Sequence, residues 1–237
     1  MLRTALLATV LALLPATSRA AERVDVALVL AVDVSESVDS SRFTLQMAGI
    51  AAAFEASEVE GAILAGEHHA MLIALVQWSN HPNLSIPWTL LTSSADVHAF
   101  AAQVRRLRRT EKGFTCMSVA LRSIADKLLT QIPVPADRVV VDMSGDGAEN
   151  CNPRETIDEV REDLVSTGVV VNGLPILEGD EAETLEAWYR AHVIGGDGSF
   201  LIPAHGFEDF ERAMRRKFIT EVSAIPAATR VRLAKRQ

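Results

Sequence analysis

Val24-Asp25-Val26-Ala27-Leu28-Val29-Leu30-Ala31-Val32-Asp33-Val34-Ser35-Glu36-Ser37 is an almost continuous apolar, β-branched run that ends on an acid and two serines. A strand with no alternation of apolar and polar positions is covered on both faces, the condition of a central strand in a parallel sheet. Reading outward, Arg42 to Phe54 has apolar residues at helical spacing, with Asp39 or Ser40 as its N-cap. Met71 to Trp78 is a second strand. After the turn residues Asn80 to Ser85, Ile86 to Leu91 follows so closely that it returns antiparallel, as an edge hairpin that tolerates Pro87. Two amphipathic helices, Ala95 to Arg108 and Met117 to Gln131, flank the stretch Thr110 to Thr115, and Arg138 to Met143 is another buried strand. Then come a helix from Pro153 to Ser166, a strand from Val169 to Leu174, a helix from Glu181 to His192, a short strand from Ser199 to Ile202 and a helix from Phe207 to Glu221. The alternation predicts an α/β fold, a doubly wound, mostly parallel sheet with one antiparallel edge strand. In the usual order of such sheets the first and fourth strands are neighbours, and ligands bind beyond their carboxyl ends. That selects the loops after Val32 and Met143.

With 49% hydrophobic and 23% charged residues over 237 positions, the chain falls in the globular class, and residues 24–221 are expected to form one domain. Residues 1–20 stand apart. Arg3 precedes the apolar run Thr4 to Ala16, and Ser18-Arg19-Ala20 places small residues where a signal peptidase reads, so a secretory signal peptide is expected. Its apolar run is shorter than the roughly 20 residues of a bilayer span, so the mature chain is expected to have no transmembrane segment, a retained anchor being the alternative. Export places the protein in a periplasm or outside the cell. Removing Arg3 and Arg19 with no acid moves the formal charge from -8 to -10, which argues against a nucleic-acid partner. Residues 222–237 end in a basic cluster with little apolar periodicity and are expected to be a flexible tail. In an oxidising compartment Cys116 and Cys151 favour a disulfide, and metal ligation by the pair is the weaker alternative because no C-x-x-C or zinc-spaced histidine accompanies them.

Both loops that topology selects open with oxygen-bearing residues: Asp33-Val34-Ser35-Glu36-Ser37 and Ser144-Gly145-Asp146-Gly147. Residues two apart in extended chain point to one side, so Asp33, Ser35 and Ser37 can converge. Carboxylates and hydroxyls are hard ligands that suit Mg²⁺ or Mn²⁺ better than zinc or copper. The structural alternative is that the serines and Asp33 cap the next helix and Asp146 makes a turn.

D-x-S-x-S after the first strand, a threonine between two central helices and S-G-D-G after the fourth strand resemble the metal-ion-dependent adhesion site of von Willebrand factor A domains. Asp33, Ser35 and Ser37 match the first motif, Thr115 in Gly113-Phe114-Thr115 the second, and Asp146 the third. The resemblance spans roughly Val24 to Glu221 and implies a Rossmann-like sheet carrying one Mg²⁺ or Mn²⁺ ion. The serines and threonine would contact the metal, the aspartates would act partly through water, and a Glu or Asp of a partner protein would complete the octahedron. Within the family the sequence is most similar to a group of exported bacterial members to which no specific activity attaches. Convergence of both loops on one ion would also bring Cys116, next to Thr115, towards Cys151, five residues after Asp146, making a bridge geometrically reasonable.

Other residues have plainer readings. Asp142, inside an apolar strand, requires a partner, either the metal loops or a structural cation. Glu36 and Glu149 flank the site and are read as facing water. Arg105, Arg106, Arg108 and Arg109 suit a helix carboxyl end, with the alternative that some border the metal face. The six histidines are read as structural or exposed, and Gly195-Gly196-Asp197-Gly198 as a turn. The function expected is a metal-dependent protein-binding module, not an enzyme. The alternatives are a metal-dependent hydrolase, for which G-x-S-x-G, H-E-x-x-H and D-x-D-x-T are all missing from the sequence, and an envelope scaffold with a structural metal.

Overall fold

The computed structural model describes residues 21–223; the expected signal peptide and residues 224–237 of the expected tail lie outside the described residues. β1 (Val24–Asp33) is buried at every position. It lies between β2 (Met71–Trp78) and β4 (Ala136–Gly145), parallel to both. β3 (Asn83–Leu91) runs antiparallel along the far side of β2, and β5 (Val170–Pro175) runs parallel to β4, giving the order β3-β2-β1-β4-β5. The doubly wound sheet with its single antiparallel edge follows the strand pattern read above.

Helices cover both faces. α1 (Ser40–Glu55), α3 (Ser94–Arg105) and α7 (Phe210–Ser223) pack with Val26, Leu28, Leu30 and Val32 of β1. α4 (Met117–Ser123), α5 (Ile157–Ser166) and α6 (Ala182–His192) pack on the face that carries Val29 and Ala31. Gly49 lets α1 approach α7, because a Cβ there would lie 3.0 Å from the Phe210 ring and 3.1 Å from the Glu211 nitrogen. α2 (Ser57–Leu64), which the periodicity missed, buries only Val59 and Ile63, too short a pattern to register as a helix.

Three boundaries differ from expectation for identifiable reasons. The helix expected over Met117 to Gln131 is α4 followed by one wide π turn, Ile124–Leu128, and a 3₁₀ turn, Leu129–Gln131. The Trp88 indole N–H donates to the Leu128 carbonyl at 3.1 Å, a side-chain contact of the kind that accompanies a loosened helical ladder. α5 begins at Ile157 rather than Pro153, behind a capping box formed by Thr156 and Glu159. Residues 199–202 form no strand; one bridge, Gly173 to Leu201, is their whole pairing.

Asp142 has its partner on α7. Lys217, with no exposed surface, places Nζ 2.7 Å from Asp142 Oδ1 and 4.7 Å over the Phe200 ring. One turn on, Glu221 accepts from Asn172 Nδ2 at 2.5 Å and lies 3.2 Å from Arg138 Nη1. Burial, then the charge of Asp142, pushes the Glu221 carboxyl up to about 7. The structural cation is therefore the correct alternative for Asp142, and it fastens α7 to the sheet. Lys217→Ala leaves Asp142 buried and unpaired, which is expected to cost about 3–5 kcal/mol in urea unfolding. The double variant Asp142→Leu/Lys217→Met is expected to recover most of that loss, since a buried ion pair and an apolar pair of similar volume are nearly equivalent in energy.

Candidate metal centre

Parallel register carries the ends of β1 and β4 to the same height, with Val32 opposite Ser144. Asp33 and the Gly145-Asp146 turn therefore meet at the carboxyl edge of the sheet. Gly145 is required by close approach, because a Cβ there would lie 2.8 Å from Asp33 Oδ2 and 3.0 Å from the Tyr189 hydroxyl. Asp33 Oδ1 accepts the Ser35 N–H at 2.7 Å, which turns the chain back over the strand end. Ser35 Oγ lies 3.2 Å from Ser37 Oγ, and Ser37 Oγ donates to Asp146 Oδ1 at 2.6 Å. Thr115 Oγ1 faces the same turn, 3.8 Å from where a Cβ on Gly147 would stand. Asp33, Ser35, Thr115 and Asp146 are buried, and Ser37 sits at the solvent edge.

The electrostatics of this cluster are unfavourable as it stands. Asp33 Oδ2 is buried and has no hydrogen-bond partner. Burial, then the charge of Asp146, pushes the Asp33 carboxyl up to about 7. Burial also raises Asp146, opposed by the Ser37 hydroxyl and by Arg42, whose Nη1 lies 3.8 Å from Oδ2. Tyr189, fully buried, is held protonated by burial and by the two aspartates, and its hydroxyl donates to the Gly145 carbonyl at 3.4 Å. Two crowded carboxylates, an orphaned buried oxygen and three hydroxyls form a donor set that a hard divalent cation fits.

The Thr115 loop is fastened to the loop that follows Asp146. Thr115 N donates to Asn150 Oδ1 at 2.8 Å and Asn150 N returns a bond to the Thr115 carbonyl at 3.0 Å. Glu149 accepts from Ser118 N and Oγ at 2.8 and 2.6 Å. An acid at the amino end of α4 is favourable there, so Glu149 has a structural task rather than the solvated one read from sequence. Cys116 and Cys151 form a disulfide with Cα atoms 5.5 Å apart. Three consecutive residues, 149 to 151, thus grip 115, 116 and 118, and α5 starts only after this clamp. Glu36 is exposed, and its N–H donates to the Gly113 carbonyl at 2.8 Å. Arg105 pairs with Glu55 and Arg106 bonds the Ala102 carbonyl, as helix-end cations do, whereas Arg109 reaches the Val34 and Ser35 carbonyls.

A second group with cation-like spacing, Asp25, His68 and Asp137, lies at the opposite end of β1, with ligand atoms within 4.8 Å of one another. Sequence reading found no ligand near His68, because Asp25 and Asp137 are brought beside it only by sheet register. There the polar atoms already have partners. Asp25 accepts the His68 and Ala70 N–H groups at 3.0 and 3.3 Å, and Asp137 takes Arg23 at 2.6 Å and His68 Nε2 at 3.0 Å.

The fold is that of von Willebrand factor A domains. Proximal thread matrix protein 1 of the mussel byssus, in a structure with a zinc-occupied MIDAS motif, superposes with a TM-score of 0.61 at 13% identity, covering 84% of this chain and 46% of that one. A von Willebrand factor type A protein from Catenulispora acidiphila gives 0.59 at 15% identity, over 83% of this chain and 42% of that one. The vWF domain of the type V pili tip protein Mfa5 from Porphyromonas gingivalis gives 0.60 at 11%, over 86% and 97%. The chain spans about half the length of the mussel protein. No curated protein matches it in sequence. The profile of a family described as "Protein of unknown function (DUF1194)" matches residues 23–226, and the chain belongs to that family.

Two outcomes are expected at this site. A carboxyl raised in the fold loses stability as pH climbs from its free value near 4 to about 7, because the unfolded chain ionises first. In EDTA, Asp33→Asn is therefore expected to gain melting temperature on wild type across that window and hold the gain above it; parallel melting curves at every pH would contradict the orphaned carboxylate. Reduction of Cys116–Cys151, which closes a loop of sequence separation 35, is expected to lower unfolding stability by roughly 3–4 kcal/mol. Thiol labelling of the oxidised protein should find no reactive cysteine before reductant is added.

Proposed function

We propose that this member of the DUF1194 family is an exported protein-binding module in which Asp33, Ser35, Ser37, Thr115 and Asp146 hold a Mg²⁺ or Mn²⁺ ion that binds an acidic side chain of a partner protein. The observation that carries this reading is the orphaned Oδ2 of Asp33, buried with Asp146 at the sheet edge that also carries the hydroxyls of Ser35, Ser37 and Thr115. A divalent cation would neutralise both carboxylates and give that oxygen a partner, while leaving neutral hydroxyls in the remaining positions. With no further anion among the protein's donors, an open coordination position on the ion would stay attractive to a partner's carboxylate. The zinc-occupied MIDAS motif of the mussel protein supports occupation of an equivalent site in this fold, and the all-oxygen donor set here favours the harder ions. The signal-like residues 1–20 support export, and no described helix is long and apolar enough to cross a membrane.

Binding is favoured over hydrolysis by how the serines are used. Ser37 donates to Asp146 and Ser35 faces Ser37, and among the described residues no histidine hydrogen-bonds to any of the five groups. A hydrolytic serine needs a base within reach of its hydroxyl. The partner-facing surface would include Phe114, directly before Thr115. The residue is 61% exposed while its N–H is bonded to Asn80 Oδ1, so an aromatic anchor is presented on a fixed backbone.

Calorimetric titration of the full chain with Mg²⁺ or Mn²⁺ is expected to give one site, and Asp33→Ala is expected to abolish it. Partner capture from an envelope fraction is expected to vanish in EDTA. It should weaken about tenfold or more in Phe114→Ala and fall in Thr115→Ala without loss of fold. Capture indifferent to EDTA, or a wild type that binds no divalent ion, overturns the proposal.

A further inference from the structure

We infer that Arg109 is a positioning residue that sets the affinity of the metal centre by holding the backbone of the Asp33–Ser37 loop; the inference rests on the metal reading above. The loop leaves the sheet at Asp33 and cannot use the strand ladder for its carbonyls. The Ser35 carbonyl accepts the Val38 N–H at 3.0 Å, and three side chains from elsewhere serve the loop's carbonyls as well. Gln46 Nε2 donates to the Asp33 carbonyl at 3.2 Å, and Arg42 Nη1 to the Ser37 carbonyl at 2.6 Å. Arg109 supplies the middle: Nε and Nη2 donate to the Val34 carbonyl at 3.1 and 2.7 Å, and Nη2 also donates to the Ser35 carbonyl.

Arg109 is itself held from behind. Gln77 of β2, fully buried, donates to the Arg108 carbonyl and accepts the Thr110 N–H, both at 3.1 Å, so the peptide groups on either side of Arg109 are fixed to the sheet. From there the chain runs to Gly113, whose carbonyl takes the Glu36 N–H, and on to Thr115. Arg109 therefore joins the loop that carries Ser35 and Ser37 to the segment that carries Thr115. Among the described residues it pairs with no carboxylate, and Nη1 is buried without a partner. Every hydrogen bond this guanidinium makes goes to the metal loop, and a lysine ammonium cannot fork across two carbonyls in this way.

The charge and the geometry of Arg109 act in opposite directions on a bound cation, which makes the test a test of sign. A positive group beside the loop repels a divalent ion, so a purely electrostatic role predicts tighter binding when the charge is removed. A positioning role predicts weaker binding. Full-length wild type, Arg109→Gln and Arg109→Lys are titrated with Mn²⁺, and the free ion is followed by electron paramagnetic resonance, with melting curves in EDTA to confirm that each variant folds. The expected result is a Kd weakened by about tenfold or more in Arg109→Gln, as for other groups that orient metal ligands. Arg109→Lys, which keeps the charge and loses the fork, should also bind more weakly than wild type and stands alone as the test if the glutamine variant does not fold. Unchanged or tighter Mn²⁺ binding in the variants overturns the inference and leaves the metal reading standing. A wild type that binds no Mn²⁺ overturns both.

Discussion

The structure is organised around two carboxylates that parallel strand pairing forces together. β1 and β4 are neighbours in register, so the acids that end them arrive at one point, and neither can move away without breaking a ladder in which β1 is buried throughout. The apolar length of β1 delivers Asp33 to a position with no exposed surface, and Gly145 removes the one Cβ that would separate it from the neighbouring turn. Desolvation then sets the chemistry, because each carboxylate raises the energy of the other in surroundings that screen poorly. A centre of this kind demands a cation, a proton or both.

What surrounds the carboxylates follows from the end of the ladder. After Val34, whose N–H still bonds the Trp78 carbonyl of β2 at 2.9 Å, and past Gly145, the ladder gives out and the peptide groups need other partners. Long side chains from other elements take that role: Gln46, Arg42 and Arg109 for the first loop, and Glu149 and Asn150 for the segment around Thr115. The disulfide lies within this second set rather than apart from it, one residue from Thr115. The rigidity of the edge therefore comes from many modest bonds sharing one purpose. Each bond restrains a segment that carries a candidate ligand, so the cost of ordering that segment is met during folding.

Much of the fold was legible because burial writes itself into local sequence. β1 and β2 are continuous apolar runs, Asp39 caps α1 as its position suggested, and Pro87 sits on the edge strand. The oxygen-bearing residues could be grouped because strand order tells which loops are neighbours. Several misses depend on a partner remote in sequence, whereas α2 is simply too short for its pattern to register. Lys217 lies 75 positions from Asp142, in a helix where it follows Arg215 and Arg216 and reads as one more cation. The later start of α5 is marked by the capping box of Thr156 and Glu159, and the π turn after α4 accompanies an indole from β3. Arg109 looked like its neighbours at a helix end, and nothing local distinguishes the one arginine that turns towards β1.

The two ends of β1 show why proximity of acids is a poor guide to cation binding and polar accounting a better one. At the amino end Asp25 and Asp137 are also in register and also close, with His68 completing a set that would look attractive by spacing alone. Every oxygen there is used: peptide N–H groups hold Asp25, and Arg23 and the His68 ring bond Asp137. An ion would have to displace bonds that already exist. At the carboxyl end Asp33 Oδ2 has nothing to lose, Arg42 stands 3.8 Å from Asp146 with its closer bonds elsewhere, and the hydroxyls of Ser35 and Ser37 can turn from each other to a metal. The free energy available to a cation is the difference between these states, not the charge of the acids. On that measure the same strand has one end whose carboxylate oxygens all have partners and one end with a buried carboxylate oxygen that has none.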